Sequence, residues 1–493
     1  MNMKKFNRIF SLVLVLALLA SCLPTVFAAE EKIEYTVDDE ELIVADWLWG
    51  SVIDERGADV MMKEYAEAGF TDIYLLLKGT GGSTSWNSSV PGSNNTYSYD
   101  LLQSVLDAAR PYGIRIHAWL MAAHDKAYMS THANENYYHF RYGYTNTVNQ
   151  YVNLRGENYR NYFIALVEEL CANYPDLAGI HLDTIRYGGI YYDWGAEARE
   201  VLINKYGITK AEYNAAAKAM CLQAGYTSCT TNSEGYVIYG SGTSVGSTYF
   251  SSAYAGSAGS TDAKNGAKKV AQFRFDTVND FIKLVADAAP GKIISTAIMP
   301  DTSIDGAYNQ VEYGQQPKTM APLVDYICTM SYASTYGQDA NWPKKLCEAI
   351  TNVGGNVVAA IQYFPNEDGS NTGPSNQRIY DEIHGVMQLR DSVNNDTNAN
   401  TGKVLGYAIF RAGFGVYAGV KVNDKDKTLE IYVSNNDRGE TTGSTKYPIT
   451  KLVITMLDGV TAEEISNKQG WGNATFTTSS DKKIGRASCR ERV

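Results

Sequence analysis

The segment "GIHLDTIRYGG" (179–189) passes in a few positions from residues suited to a buried strand, Gly179, Ile180 and Leu182, to Asp183, Arg186 and Tyr187. A carboxylate, a guanidinium and a phenol are not buried without partners. An acid with a cation three residues on is equipped to act as a nucleophile or a stabiliser of positive charge. The plain alternative is a structural ion pair closing the strand. A second acid, Asp301, ends "IMPD". Adjacent parallel strands lie about 4.8 Å apart, so two strand-end acids approach the roughly 5–5.5 Å of a retaining glycosidase pair. Asp301 follows Pro300 on a loop, and a loop-capping or substrate-binding carboxylate is an equal reading. Asp46, Asp125, Glu312, Glu367 and Asp368 stand in reserve.

Other side chains suit binding. His124 beside Asp125 suits a sugar hydroxyl, with Gln362 as a further polar contact. Lys78, Arg186 and Arg411 either bind substrate or pair with carboxylates. Trp47, Trp49, Trp119, Tyr187, Tyr332 and Tyr363 are sugar platforms or barrel-interior aromatics, since aromatic faces match the apolar faces of sugar rings. His117 and His181 fall within strands, and a metal shared with Asp183 is the less economical reading. No HxH or HExxH spacing supports one, so hydrogen-bonded core histidines, no metal and no cofactor are expected. "KGTGGSTS" (78–85) lacks the Walker spacing and its lysine, and reads as an active-site loop.

Positioning these groups requires a scaffold whose strand ends converge. Eight short apolar runs supply the strands: "LIVADWLW" (42–49), "DIYLLLKG" (72–79), "IRIHAWLMAAHD" (114–125), the opening segment, "GKIISTAIMPD" (291–301), "VDYICTMSYAS" (324–334), "NVVAAIQYFPN" (356–366) and "KVLGYAIFRAGFG" (403–415). Amphipathic stretches alternate with them, and nearly continuous apolar runs mark strands covered on both faces. The expected fold is an α/β (β/α)8 TIM barrel, whose active site lies at the carboxyl ends of the strands. A doubly wound sheet would want a Gly-rich turn after the first strand, and none is there. Long insertions follow strand 3 (126–155) and strand 4 (around 230–262), both rich in tyrosine.

The ends read differently. "MNMKKFNRIFSLVLVLALLASCLPTVFAAEE" is expected to be a secretory signal over 1–28, too short and wrongly flanked for a transmembrane span. "LASC" offers the competing reading of a lipid anchor at Cys22. Residues 29–418 form the expected barrel. Residues 419–483, with "KTLEIYVSNN" and "KLVITMLDGV", form a small β-sandwich-like module, expected to be truncated. The last ten residues, "IGRASCRERV" (484–493), match the translation of a sequencing-adapter read-through and are expected to be non-native. Without the signal cations and this tail the formal charge goes from −11 to about −16, which disfavours nucleic acid as a partner. Five scattered cysteines remain, no disulfide scaffold or zinc cluster, although Cys221 and Cys229 can pair across a loop.

The runs "VNLRGENYRNYFIALVEELCANYPDLAGIHLDTIRYGG", "RIHAWLMAAHD", "ISTAIMPD" and "VDYICTMSYAST" resemble the glycosyl-hydrolase-like family 10 proteins, secreted bacterial (β/α)8 barrels, over about residues 41–418. Thr184 and Gly188 depart from that family's usual residues, and the chitinase signature DxxDxDxE is absent. The resemblance implies a glycoside hydrolase acting on a bacterial polysaccharide such as a peptidoglycan glycan strand. Asp183 would be its central catalytic carboxylate, with Asp301 and Tyr332 at family positions. The expected protein is a secreted or cell-surface hydrolase of a cell-wall or other polysaccharide. The alternatives are a non-catalytic carbohydrate-binding barrel and a metal-dependent hydrolase.

Overall fold

The computed structural model describes residues 34–38, 41–144, 151–223, 228–241, 260–364, 373–395 and 401–411, with strand segments 416–423, 428–435, 451–455, 461–466 and 474–476. The signal segment, the last ten residues, Glu367 and Asp368 lie outside these, as does the Cys221 side chain.

Eight parallel strands close into a barrel: β1 (Ile43–Trp49), β2 (Asp72–Lys78), β3 (Arg115–Met121), β4 (Gly179–Asp183), β5 (Ile293–Ile298), β6 (Tyr326–Ser331), β7 (Val357–Gln362) and β8 (Val404–Phe410). Each strand pairs with its sequence neighbours, and β8 closes on β1 with Ala45 opposite Ala408. The fold is a (β/α)8 barrel, established by this pairing itself. Among the described residues no helix is long and apolar enough to cross a membrane.

Side chains alternate about the strand plane. Ile73, Leu75, Ile116, Leu120, Ile180 and Leu182 point outward into the core under the helices, whereas Ala45, Trp47, Tyr74, Trp119, Tyr326 and Cys328 fill the barrel. On β4 this parity places Gly179, His181 and Asp183 on the inner face, with the acid in the topmost layer. Gly179 is required there: a Cβ would lie 2.5 Å from both His117 Nδ1 and the Ile293 carbonyl.

The histidines are hydrogen-bonded core residues. His117 Nε2 lies 2.7 Å from Asp72, which also takes 2.8 and 2.9 Å bonds from Arg115. Burial alone would raise the Asp72 pKa, but His117 and Arg115 outweigh it and hold the acid at about 2. His181 accepts from Trp47 Nε1 at 3.2 Å and contacts Ser295 at 2.9 Å.

The insertion after β4 is larger than its Tyr-rich stretch suggests. It carries helices Ala196–Tyr206 and Lys210–Gln223 and a hairpin (Ser228–Thr231 with Val237–Ser241) before helix Thr261–Ala288. Phe140, Trp194, Leu202, Tyr213, Val270 and Phe273 give it a hydrophobic core of its own. Beyond the barrel, Val416–Asn423, Thr428–Asn435 and Ala474–Phe476 form an antiparallel sheet, and Lys451–Thr455 pairs with Thr461–Ser466.

One buried acid makes stability pH-dependent. Glu382, on helix Asn376–Val393, takes a 2.9 Å bond from Arg378 on one oxygen, and its other oxygen is buried without a partner among the described residues. Burial raises its pKa to about 7, against the opposing pull of Arg378. A carboxyl whose folded pKa is raised favours the fold below its unfolded pKa and loses that contribution as pH rises through the folded value. Glu382→Gln is therefore expected to flatten the loss of stability between roughly pH 4.5 and 7. At pH 8 it should gain on the order of 1–3 kcal/mol, measured by urea melts across pH.

Candidate functional site

Asp183 ends β4 at the carboxyl rim, mostly buried, with 12% of its side chain open to solvent. Trp119 Nε1 donates to Oδ2 at 3.1 Å, the Thr184 amide donates to Oδ1, and Arg186 Nη1 stands 3.5 Å from Oδ1. In each of these contacts the carboxylate is the acceptor. Thr184 adopts φ +48°, a left-handed conformation uncommon for a residue with a Cβ. Backbone bonds hold it there: Ala122 N donates to the Asp183 carbonyl at 2.8 Å, and Ala123 N and Arg186 N donate to that of Thr184 at 3.2 and 2.8 Å. Strain of this kind collects where the surrounding structure over-determines a functional geometry.

Around the acid stand residues from four other strand ends. Half-buried Tyr332, after β6, stacks on Phe410 at 5.1 Å, and Phe364 meets both rings edge-on. Burial and then the Asp183 charge push the Tyr332 phenol well above its ordinary pKa, which keeps it a neutral donor. After β3, His124 packs 4.4 Å from Tyr151, and among the described residues neither ring nitrogen has a hydrogen-bond partner. Burial, then Arg186, Lys126 and Lys78, lower its pKa to about 4, so the imidazole is neutral at ordinary pH.

Asp301 sits in the turn Pro300–Ser303 after β5, and burial raises its pKa. Glu312, on helix Tyr308–Tyr313 of the same loop, is raised by burial and by the Asp301 charge, with Arg274 opposing. The loop is stapled by amides. Gln310 Nε2 donates to the Thr302 carbonyl at 2.9 Å; Gln315 accepts from Met299 N at 2.9 Å and donates to the carbonyls of Ile185 and Ala297 at 3.2 Å each. Gln315 thereby ties the loop carrying Asp301 to the turn that follows Asp183.

The remaining expected binding residues divide. Lys78 is fully buried, 2.9 Å from Asp125 and over the rings of Phe163 and Tyr159 at 5.5 and 5.9 Å. Asp125 also caps helix Lys126–Thr131 by accepting from Tyr128 N at 2.8 Å. The pair is internal and out of reach of a polymer. Trp47 and Trp119 are buried in the barrel, where Trp119 serves Asp183 as a donor and offers no platform. Tyr187 is buried against Arg274, 3.7 Å from its guanidinium carbon, and donates to Asp193 at 3.0 Å. Gln362 is buried and clamps Thr335 N and the Phe364 carbonyl at 2.9 Å each. In all six cases the side chain is buried by neighbours brought together by the fold. Half-buried Trp49 carries Arg411 over its ring at 3.8 Å, and half-buried Tyr363 closes β7 beside Asp46.

Phe410, Phe364 and Arg274 were not singled out from sequence. The two phenylalanines read as ordinary apolar strand ends, and Arg274 lies inside an amphipathic helix. Its flanking apolar residues were the available signal that it is buried.

No family model matches the sequence, and no curated protein matches it. Solved structures that resemble the chain include the β-galactosidase of the psychrophilic Marinomonas ef1, 14% identical over 76% of this chain and 55% of that one (TM-score 0.49). They also include α-L-fucosidase isoenzyme 2 of Paenibacillus thiaminolyticus, 11% identical over 77% and 44% (TM-score 0.43), and the Bacillus cereus spore cortex-lytic enzyme SleL, 10% identical over 85% and 64% (TM-score 0.32). The chain spans about half the length of the first two, and likenesses this remote carry no argument about activity.

Proposed function

We propose that this protein is a secreted or cell-surface glycoside hydrolase acting on a cell-wall or other polysaccharide, in line with its resemblance to glycosyl-hydrolase-like family 10. Asp183 is the central carboxylate and Asp301 the acid/base. Trp49, His124, Arg186, Tyr332, Tyr363 and Arg411 are the sugar contacts, and the strands beyond residue 416 belong to a separate β-rich module. One observation carries the reading: the acid that ends β4 and the acid in the turn after the adjacent β5 have different surroundings. Asp183 is supplied with donors and a cation, whereas Asp301 is raised by burial. Two carboxylates at the rim in different surroundings can divide the labour of glycosidic cleavage. Asp301 protonates the departing oxygen; Asp183 attacks or stabilises the positive anomeric carbon; water completes the hydrolysis with Asp301 as base.

The test is product release from peptide-free wall glycans and plant polysaccharides, alongside affinity electrophoresis. Retardation without products would leave only a carbohydrate-binding barrel. Asp301→Asn is expected to lose about 10²–10⁴-fold on polymers and much less on aryl glycosides, whose leaving groups need no proton. An acid must be protonated to act, so wild-type activity falls as pH rises through the elevated Asp301 value, and that limb should vanish in the variant. Equal losses on both substrate types would remove Asp301 from the mechanism.

A further inference from the structure

Arg186 offers donors at the rim that the described residues leave largely unused. Its side chain is only 15% exposed, and among the described residues the guanidinium has one hydrogen-bond partner, Asp183 at 3.5 Å. A guanidinium has five N–H donors in a planar fork, and most of this one stays available to a ligand at the rim. His124, in the electrostatic reach of Arg186, adds two ring nitrogens with no hydrogen-bond partner among the described residues. Sugar hydroxyls can be served by neutral amides and phenols, whereas a fixed fork beside the catalytic acid matches a carboxylate in geometry and charge.

We propose that Arg186, assisted by His124, recognises a carboxylate carried by the substrate sugar, so that the cleft selects an acidic sugar at the cleavage site. This rests on the hydrolase reading above and adds its substrate class. At a formal charge of −11 the protein repels anions at long range. Screening over roughly 8 Å at physiological salt still leaves a single contact carboxylate favourable. The carboxylate can sit on an ether-linked lactyl group or at C6 of a uronic acid.

The experiment compares peptide-free wall glycan strands, which carry lactyl carboxylates, and glucuronoxylan oligosaccharides, which carry isolated uronic acids, each against its carboxyl-reduced form. Binding by calorimetry and product release are both read, with wild type, Arg186→Gln and Arg186→Lys. Wild type is expected to favour one acidic glycan over its reduced form by roughly 10- to 100-fold, the range of a charge-assisted bond. Arg186→Gln erases that ratio and Arg186→Lys keeps part of it. The ratio is the readout because a change relayed only through Asp183 lowers both forms alike. Equal treatment of acidic and reduced glycans by wild type overturns the inference, a result that does not depend on any variant folding. So does an equal loss on both forms in Arg186→Gln. Hydrolysis without preference sinks this inference and spares the hydrolase; preference in binding without products does the reverse. No binding to any of the four glycans overturns both.

Discussion

Asp183→Asn is expected to abolish glycan cleavage, by about 10⁴-fold or more, while leaving the fold intact. Removing a nucleophilic or charge-stabilising group costs losses of that order, because the remaining residues act only as a unit with it. The amide keeps the shape of the acid, and its carbonyl oxygen can still take the bond from Trp119 Nε1, now 3.1 Å away. What it loses is the charge facing Arg186 and the developing positive centre. Initial rates on the best polymer substrate, with a thermal melt as control, give the answer. Retained activity with an unchanged melting temperature would remove Asp183 from the chemistry and with it the central claim about the rim.

Arg274→Met is expected to have the largest effect on stability, about 3–5 kcal/mol, the usual cost of breaking a buried charged network. Arg274 is 1% exposed, and its guanidinium donates to the carbonyls of Val311 at 2.7 Å, Tyr192 at 2.9 Å and Gly189 at 2.8 Å, and also to that of Glu312. Methionine fills similar space but removes the guanidinium donor from four carbonyls, of which Gly189 keeps a 3.4 Å bond from Tyr192 N. Those carbonyls belong to the loop after β4 and to the helix carrying Glu312, so the damage should reach the site as well. Urea denaturation should show the lower midpoint. Hydrogen exchange should show amides of 185–193 and 308–316 opening before the barrel strands. A variant as stable as wild type would show that the two loops are held by other contacts.

Much of this was legible in the residues. The eight apolar runs lie within a few positions of the eight observed strands, because a strand covered on both faces must be continuously apolar whatever its neighbours are. Asp183 was legible as a strand-end acid for the same reason: a charge terminating such a run marks the point where the strand emerges. The chemistry of individual side chains was less legible. Lys78 and Arg186 are both cations at strand ends, yet Lys78 is buried on Asp125, Phe163 and Tyr159, whereas Arg186 has one long contact to Asp183. Nothing local distinguishes them. Trp119 and Trp49 differ in the same way, one serving a carboxylate inside the barrel and the other lying under Arg411.

By itself the amino-acid order determined the barrel and the strand that delivers its acid, since period-two alternation and apolar runs are properties of neighbouring residues. Only the tertiary structure decided which polar groups are covered and which stay open. Arg274 reaches carbonyls 82 and 85 positions away, and Gln315 joins loops 130 residues apart. Burial and hydrogen-bond partnership are set by what packs over a side chain once the chain has closed, and that information is spread across the whole sequence.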